Sequence, residues 1–229
     1  DVSTDAIYAG RHTYRSGMTA EEMARVVFEN LDGAETGCVE PFIRAGDVLL
    51  AGRNFGRGSS REQAATALKH RGIAAVVAVS VNGTYLRNAI NNGLLVLECP
   101  ELEGVLEEMA ALIAAARARG EILHAQVGHA RLGPAVALDV ERGTLTLGEG
   151  ALVLRLMPLA PFMRELLEAG GVEQWARRRG ERRVRGGIRG AQRGASGVWG
   201  EQIDSRGEEG RADSVGHMSR GSALKHIMP

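Results

Sequence analysis

Two hydroxyls, a guanidinium and a carboxylate stand side by side at Ser59-Ser60-Arg61-Glu62, directly behind the glycine-rich run Gly52-Arg53-Asn54-Phe55-Gly56-Arg57-Gly58. A serine hydroxyl can donate to an anion or, if its alkoxide is stabilised, take a proton. An arginine grips a carboxylate with forked donors. The glycines permit turns and close backbone approach. An apolar stretch, 48–50, enters the run, and Gln63-Ala64-Ala65-Thr66-Ala67-Leu68 leaves it, so the spacing predicts a strand, a glycine-rich turn and a helix start. A helix N-terminus offers free N–H groups and the positive end of its dipole, which suits an anion, most simply a carboxylate. A plainer reading fits the same spacing. Ser59-x-x-Glu62, and Ser60-x-x-Gln63 one step on, are capping-box patterns that could simply start the helix. On the motif alone both readings stand.

Familiar phosphate loops do not fit. A P-loop requires G-K-[ST] after its second glycine, and Gly58 is followed by two serines. A dinucleotide fingerprint requires a glycine where Arg61 stands. The nucleophile elbow G-x-S-x-G is absent as well.

The segments around this run predict what carries it. Thr19 and Glu22 have capping-box spacing and open a helix to about Leu31, with Met23, Val26, Val27 and Leu31 on one face. A turn at Arg44-Ala45-Gly46-Asp47 leads into the strand before the glycine run. A helix over 60–71 ends at Gly72. The continuous apolar run 73–81 then reads as a parallel strand buried on both faces. A helix from Asn82-Gly83-Thr84 to Asn92-Gly93 and a strand over 94–98 complete an α/β unit with a right-handed crossover. Ligands of such sheets bind outside the carboxyl ends of the strands, where Ser59, Ser60 and Arg61 are expected. Residues 101–119 are helical in period, with Leu102, Val105, Leu106, Met109, Leu112 and Ile113 on the apolar side. A hairpin is predicted over 135–147 and an extended run over 153–157. Pro158 precedes a helix to about Ala169, closed by Gly170-Gly171.

Hydrophobic content of 44% supports a core, which 4% aromatic content leaves to aliphatic side chains. Formal charge of zero gives no bulk attraction to nucleic acid or membrane, and no apolar run of bilayer length occurs. Cys38 and Cys99 suit a reducing compartment and do not form a disulfide framework. His124 and His129 are isolated and read as surface or loop residues. His12 reads as solvated, in a loop with Arg11, Tyr14 and Arg15. Asp5 falls in a turn, where aspartate ordinarily bonds local N–H groups.

Asn54-Phe55-Gly56, Gly58-Ser59-Ser60-Arg61-Glu62 and Asn88-x-x-Asn91-Asn92-Gly93-Leu94-Leu95 together resemble the swivel domain, or small subunit, of the aconitase superfamily. An Asp-Thr-Asp-like turn before isoleucine appears as Asp1-Val2-Ser3-Thr4-Asp5-Ala6-Ile7. The variant Glu62-Gln63-Ala64-Ala65-Thr66-Ala67-Leu68, with Tyr8-x-Gly10-x-x-Thr13-Tyr14, is most similar to the homoaconitase branch. The likeness runs from Asp1 to about Arg179. It implies an aconitase-type swivelling β/β/α domain with a mostly parallel core sheet over 1–180; the tail over 181–229, glycine-rich and nearly without apolar periodicity, reads as disordered. Because position 1 already lies inside the likeness, the sequence is expected to continue upstream.

What the resemblance implies about activity is a hydro-lyase of the homoaconitate hydratase type in lysine biosynthesis, with 3-isopropylmalate dehydratase or aconitase as alternatives. It implies Ser59 as the proton-abstracting base, and Asp5, Ser60 and Arg61 as contacts to a tricarboxylate substrate. It also implies a [4Fe–4S] cluster. Three cysteines hold such a cluster, and only two are present, so the cluster is expected on a large aconitase-type partner subunit or domain and no metal ligand is assigned here. The compartment would be the mitochondrial matrix in a eukaryote and the cytoplasm in a prokaryote. The tail carries Arg185-Gly186-Gly187 and other Arg-Gly pairs, an RGG-like pattern, but only Trp199 supplies an aromatic ring. RNA binding through it is the non-enzyme alternative, and a sequence unrelated to the family is the other account of it.

Overall fold

The computed structural model describes residues 1–31, 43–118, 135–148 and 150–181, and the backbone of 222–223 and 226–228. Cys38, His124, His129, the Arg185-Gly186-Gly187 segment and Trp199 lie outside the described residues.

Four short strands, β1 (Val48–Ala51), β2 (Ala75–Ala78), β3 (Leu95–Glu98) and β8 (His226–Met228), form a parallel sheet in the order β3-β2-β1-β8. The β1–β2 register pairs Val48 with Ala75 and Ala51 with Ala78. Helices α4 (Gln63–His70) and α5 (Gly83–Asn91) connect β1 to β2 and β2 to β3. A second, antiparallel sheet has the order β6-β5-β4-β7, from β4 (Ala135–Asp139), β5 (Thr144–Leu147), β6 (Leu152–Arg155) and β7 (Ser222–Ala223). Of the tail, Glu181 closes a helix over 172–181 (α8), and five residues supply β7 and β8 at sheet edges. An edge strand has unpaired N–H and C=O groups, so even a chain poor in apolar periodicity can add a strand there.

Side-chain alternation divides the parallel sheet between two cores. Leu49, Ala51, Val76, Ala78 and Val96 pack with Ala64, Ala65, Leu68 and Ala89 of α4 and α5. Val48, Leu50, Ala75, Val77 and Leu97 pack on the other side with Leu102 and Leu106 of α6 (Leu102–Ala118) and with Val136, Leu145, Leu147 and Leu154 of the antiparallel sheet. The result is the predicted β/β/α layering. The alanines of α4 have no exposed surface.

Several boundaries differ from expectation. The helix opened by Thr19 has its full capping box but covers only Ala20–Arg25 (α3), because Phe28 takes a positive φ of 61° and turns the chain back. Leu112 is 69% exposed, not part of the apolar face, since α6 runs past the edge of the core that Leu102 and Leu106 enter. The helix after the glycine run begins at Gln63, and no side-chain cap forms there. The Ser59–Glu62 capping box is therefore not made. Glu62 accepts from Asn92 Nδ2, at the C-cap of α5, at 2.8 Å instead, and Ser60 Oγ from Asn88 Nδ2 of α5 at 3.5 Å.

Candidate functional site

The glycine-rich run leaves the carboxyl end of β1 and is tied down on two sides. From the N-terminal segment, Thr4 N–H donates to the Arg57 carbonyl and Gly56 N–H to the Val2 carbonyl, each at 2.8 Å. From the β2–α5 connection, Asn82 N–H donates to the Phe55 carbonyl at 2.9 Å, while Phe55 N–H donates to the Ser80 carbonyl at 3.0 Å. Val2 and Phe55 are buried, so these bonds are shielded from water.

This docking carries Asp5 to Arg61, 56 positions away. Asp5 lies in a single helical turn, α1 (Thr4–Ile7), capped by Ser3 Oγ accepting from Ala6 N–H. Its carboxylate accepts from Arg61 Nη1, from Gly10 N–H at 2.8 Å and from Asn30 Nδ2 at 3.2 Å. Arg61 Nη1 also donates to the Tyr8 carbonyl at 3.1 Å. Among the described residues both hydrogen bonds of the guanidinium thus run through one nitrogen, and Nη2 and Nε remain for another acceptor. The Arg61 side chain is 19% exposed, against 51% for Asp5. Gly10 leaves room for the pair. A Cβ there would stand 3.1 Å from Arg61 Nη2 and 3.2 Å from Asp5 Oδ1.

The hydrogen bond from Arg61, followed by that from Gly10, holds the Asp5 carboxyl below its ordinary value. A depressed folded value means stability that is present above the unfolded value of about 3.9 and lost as pH falls through the folded one. Asp5 is half exposed, so screening keeps the pair near the surface range of about 0–1 kcal/mol. Urea unfolding of wild type and Asp5→Asn between pH 5 and 2.5 is expected to converge at the acid end. A stability gap that stays constant across that range would show that the ionised pair contributes nothing.

Ser59 and Ser60 are exposed. The Ser59 carbonyl accepts from Thr4 Oγ1 at 2.9 Å and from Arg61 N–H at 2.8 Å, which fixes the main chain that bears its hydroxyl. Asp5 and Arg61 are brought together by their side chains. Ser60 turns toward Asn88, and Ser59 joins the group through its backbone. Asp5, which the resemblance offers as a substrate contact, has Arg61, Gly10 and Asn30 as its partners. His12, expected in solvent, is 8% exposed, within the helical turn α2 (Gly10–Thr13), with Nε2 2.5 Å from Glu29 Oε2. The Tyr8 ring lies beside it, tilted, at 5.9 Å between centroids. Asn30 and Glu29 carried no motif signal. Asn88 and Asn92 stood in a quoted motif without an assigned role, and their spacing of four on a helix was the available clue to a shared face.

The aconitase C-terminal domain family matches residues 40–102. The mitochondrial homoaconitase of Eremothecium gossypii is 38% identical over 183 residues, 77% of this chain and 24% of that protein. That of Chaetomium globosum is 39% identical over 183 residues, 78% of this chain and 21% of that protein. The chain belongs to the aconitase superfamily. Among solved structures, 3-isopropylmalate dehydratase of Methanocaldococcus jannaschii superposes on this aconitase-type domain with a TM-score of 0.61 at 28% identity, over 81% of this chain and 92% of that one. The chain spans about a quarter of the length of the curated homoaconitases it matches.

Membership in the aconitase superfamily implies a [4Fe–4S] cluster in the family, and the residues of this chain do not fit one. Of its two cysteines, Cys99 has no exposed surface and lies in the core with Leu97 and Leu102. Burial pushes its thiol up, away from the thiolate a cluster needs. Among the described residues no group of three or more His, Cys, Asp and Glu could hold a metal ion. No described helix is long and apolar enough to cross a membrane.

Proposed function

We propose that this chain is the swivel portion of a homoaconitase-like hydro-lyase, supplying a serine base and carboxylate contacts to a site completed by a larger, cluster-bearing portion. The observation that carries the proposal is the Arg61 guanidinium, oriented by Asp5 and the Tyr8 carbonyl through Nη1 alone, two residues after Ser59 at the carboxyl end of a parallel strand. A dehydration of this class removes a proton from a carbon next to a carboxylate and expels a hydroxyl from the neighbouring carbon. Arg61 holds the carboxylate through Nη2 and Nε, Ser60 adds a hydroxyl donor, and Ser59 Oγ takes the proton. A serine hydroxyl is too weakly acidic to ionise unaided. Donors aimed at the alkoxide must offset that, and one such donor is typically worth about 3 kcal/mol. Departure of the hydroxyl belongs to the cluster-bearing portion, and a mitochondrial matrix setting follows if the host is a eukaryote.

The deciding assay uses the complete protein with its cluster reconstituted, offered homoaconitate, 3-isopropylmalate and cis-aconitate. Preferential hydration of homoaconitate is expected. Turnover of 3-isopropylmalate alone would reassign the chain to the leucine-pathway dehydratases, and failure on all three would end the proposal. In the same assay Arg61→Lys is expected to raise KM roughly tenfold with kcat largely kept, because the forked contact to a carboxylate is lost. An unchanged KM would remove Arg61 from substrate binding.

A further inference from the structure

A continuous line of side-chain hydrogen bonds runs back from Arg61 into the protein. Beyond Asp5, Asn30 Nδ2 donates to Asp5 Oδ2 at 3.2 Å, and Asn30 Oδ1 accepts from Arg11 Nη1 at 3.3 Å. Arg11 Nη2 pairs with Glu29 Oε1, and the other oxygen of Glu29 faces His12 Nε2 at 2.5 Å. The outer members are exposed and the inner end is not, since the His12 and Glu29 side chains are 9% and 20% exposed. Isolated surface bonds of this kind hold little. A line anchored at a buried end behaves differently, because Glu29 cannot follow Arg11 into solvent without leaving His12.

The backbone independently supports this arrangement. Phe28, 1% exposed, adopts a φ of +61°, a conformation that L side chains rarely take. Its N–H donates to the Ile7 carbonyl at 2.9 Å, and Val27 bridges to Tyr8. That strained turn follows α3 and delivers Glu29 and Asn30 against α1 and α2.

We infer that Asn30, Arg11, Glu29 and His12 are positioning residues that hold Asp5, and through it the substrate-facing edge of Arg61, in one orientation. The inference rests on the reading of Arg61 as the carboxylate ligand. Because Arg61 grips ground state and transition state alike, loosening it raises KM and leaves kcat in place.

The test is a double-mutant cycle in the complete, cluster-loaded protein with homoaconitate, with thermal midpoints followed throughout. Asn30→Ala, at an exposed position, is expected to raise KM about fivefold with kcat within about twofold, and Glu29→Gln, which keeps the shape but loses the charge, to do so less. Placed on Arg61→Lys, Asn30→Ala is expected to add nothing further. Three results would overturn the inference. One is an unchanged KM in Asn30→Ala while Arg61→Lys raises it, which leaves the Arg61 assignment intact. Another is a fivefold rise that persists on Arg61→Lys, since the effect would then bypass the guanidinium. The third is an unchanged KM in Arg61→Lys itself, which removes the ligand that the network is said to hold.

Discussion

Ser59→Ala is expected to lower kcat by roughly 10³-fold or more, the scale of a lost general base, while substrate affinity stays within about threefold of wild type. The asymmetry follows from what the residue would do. A base acts on a proton that moves only in the transition state, whereas the carboxylate grip of Arg61 acts in the ground state too. The fold should survive. Ser59 is exposed, makes no helix cap, and engages its neighbours through a carbonyl that alanine also has. Calorimetric binding of homoaconitate together with steady-state rates separates the two quantities. Retention of most of the wild-type rate would remove Ser59 from its role, and a loss of affinity matching the loss of rate would make it a binding residue.

Gly56→Ala is expected to be the most damaging single methyl in the site. Gly56 has a φ of +75°, and a Cβ there would lie 2.2 Å from Tyr85 Cγ. Tyr85 cannot retreat. Its ring is buried and meets Phe55 edge-on at 5.3 Å between centroids. The left-handed backbone contributes about 1–2 kcal/mol of strain and overpacking typically another 1–3 kcal/mol. A loss of about 3 kcal/mol would lower Tm by roughly 6–12 °C for a domain of this size. Activity at permissive temperature should fall as well, because Gly56 N–H ties the loop bearing Ser59 and Arg61 to Val2. A thermal midpoint within 2 °C of wild type, on the scale of less than about 1 kcal/mol, would show that the loop has room to shift.

The layers of the fold were legible because burial imposes a period on a sequence. Of the apolar run predicted over 73–81, Ala75–Ala78 forms β2 and is buried on both faces, with the successive residues Val76 and Val77 entering opposite cores, while Ala74 is exposed. Asn82 capped its helix as the spacing implied, with Oδ1 accepting from Thr84 and Tyr85 N–H. Thr19 and Glu22 formed their box for the same local reason. Ser59 and Glu62 had the same spacing and did not. A cap is a weak interaction, worth about 1 kcal/mol, and Asn92 at the C-cap of a neighbouring helix competed for the Glu62 carboxylate.

Taken alone, the sequence determined which residue types are present at the candidate site, the strand–loop–helix that bears three of them, and the alternation that stacks a helical layer, a parallel sheet and an antiparallel sheet. Tertiary structure alone decided their partners. It set Asp5 on Arg61 across 56 positions, sent Ser60 toward Asn88, and buried His12 against Glu29. Local rules act over a few residues and leave a signature in spacing. A carboxylate and a guanidinium far apart in the chain meet only when two segments dock, and that docking depends on the shape of the whole core.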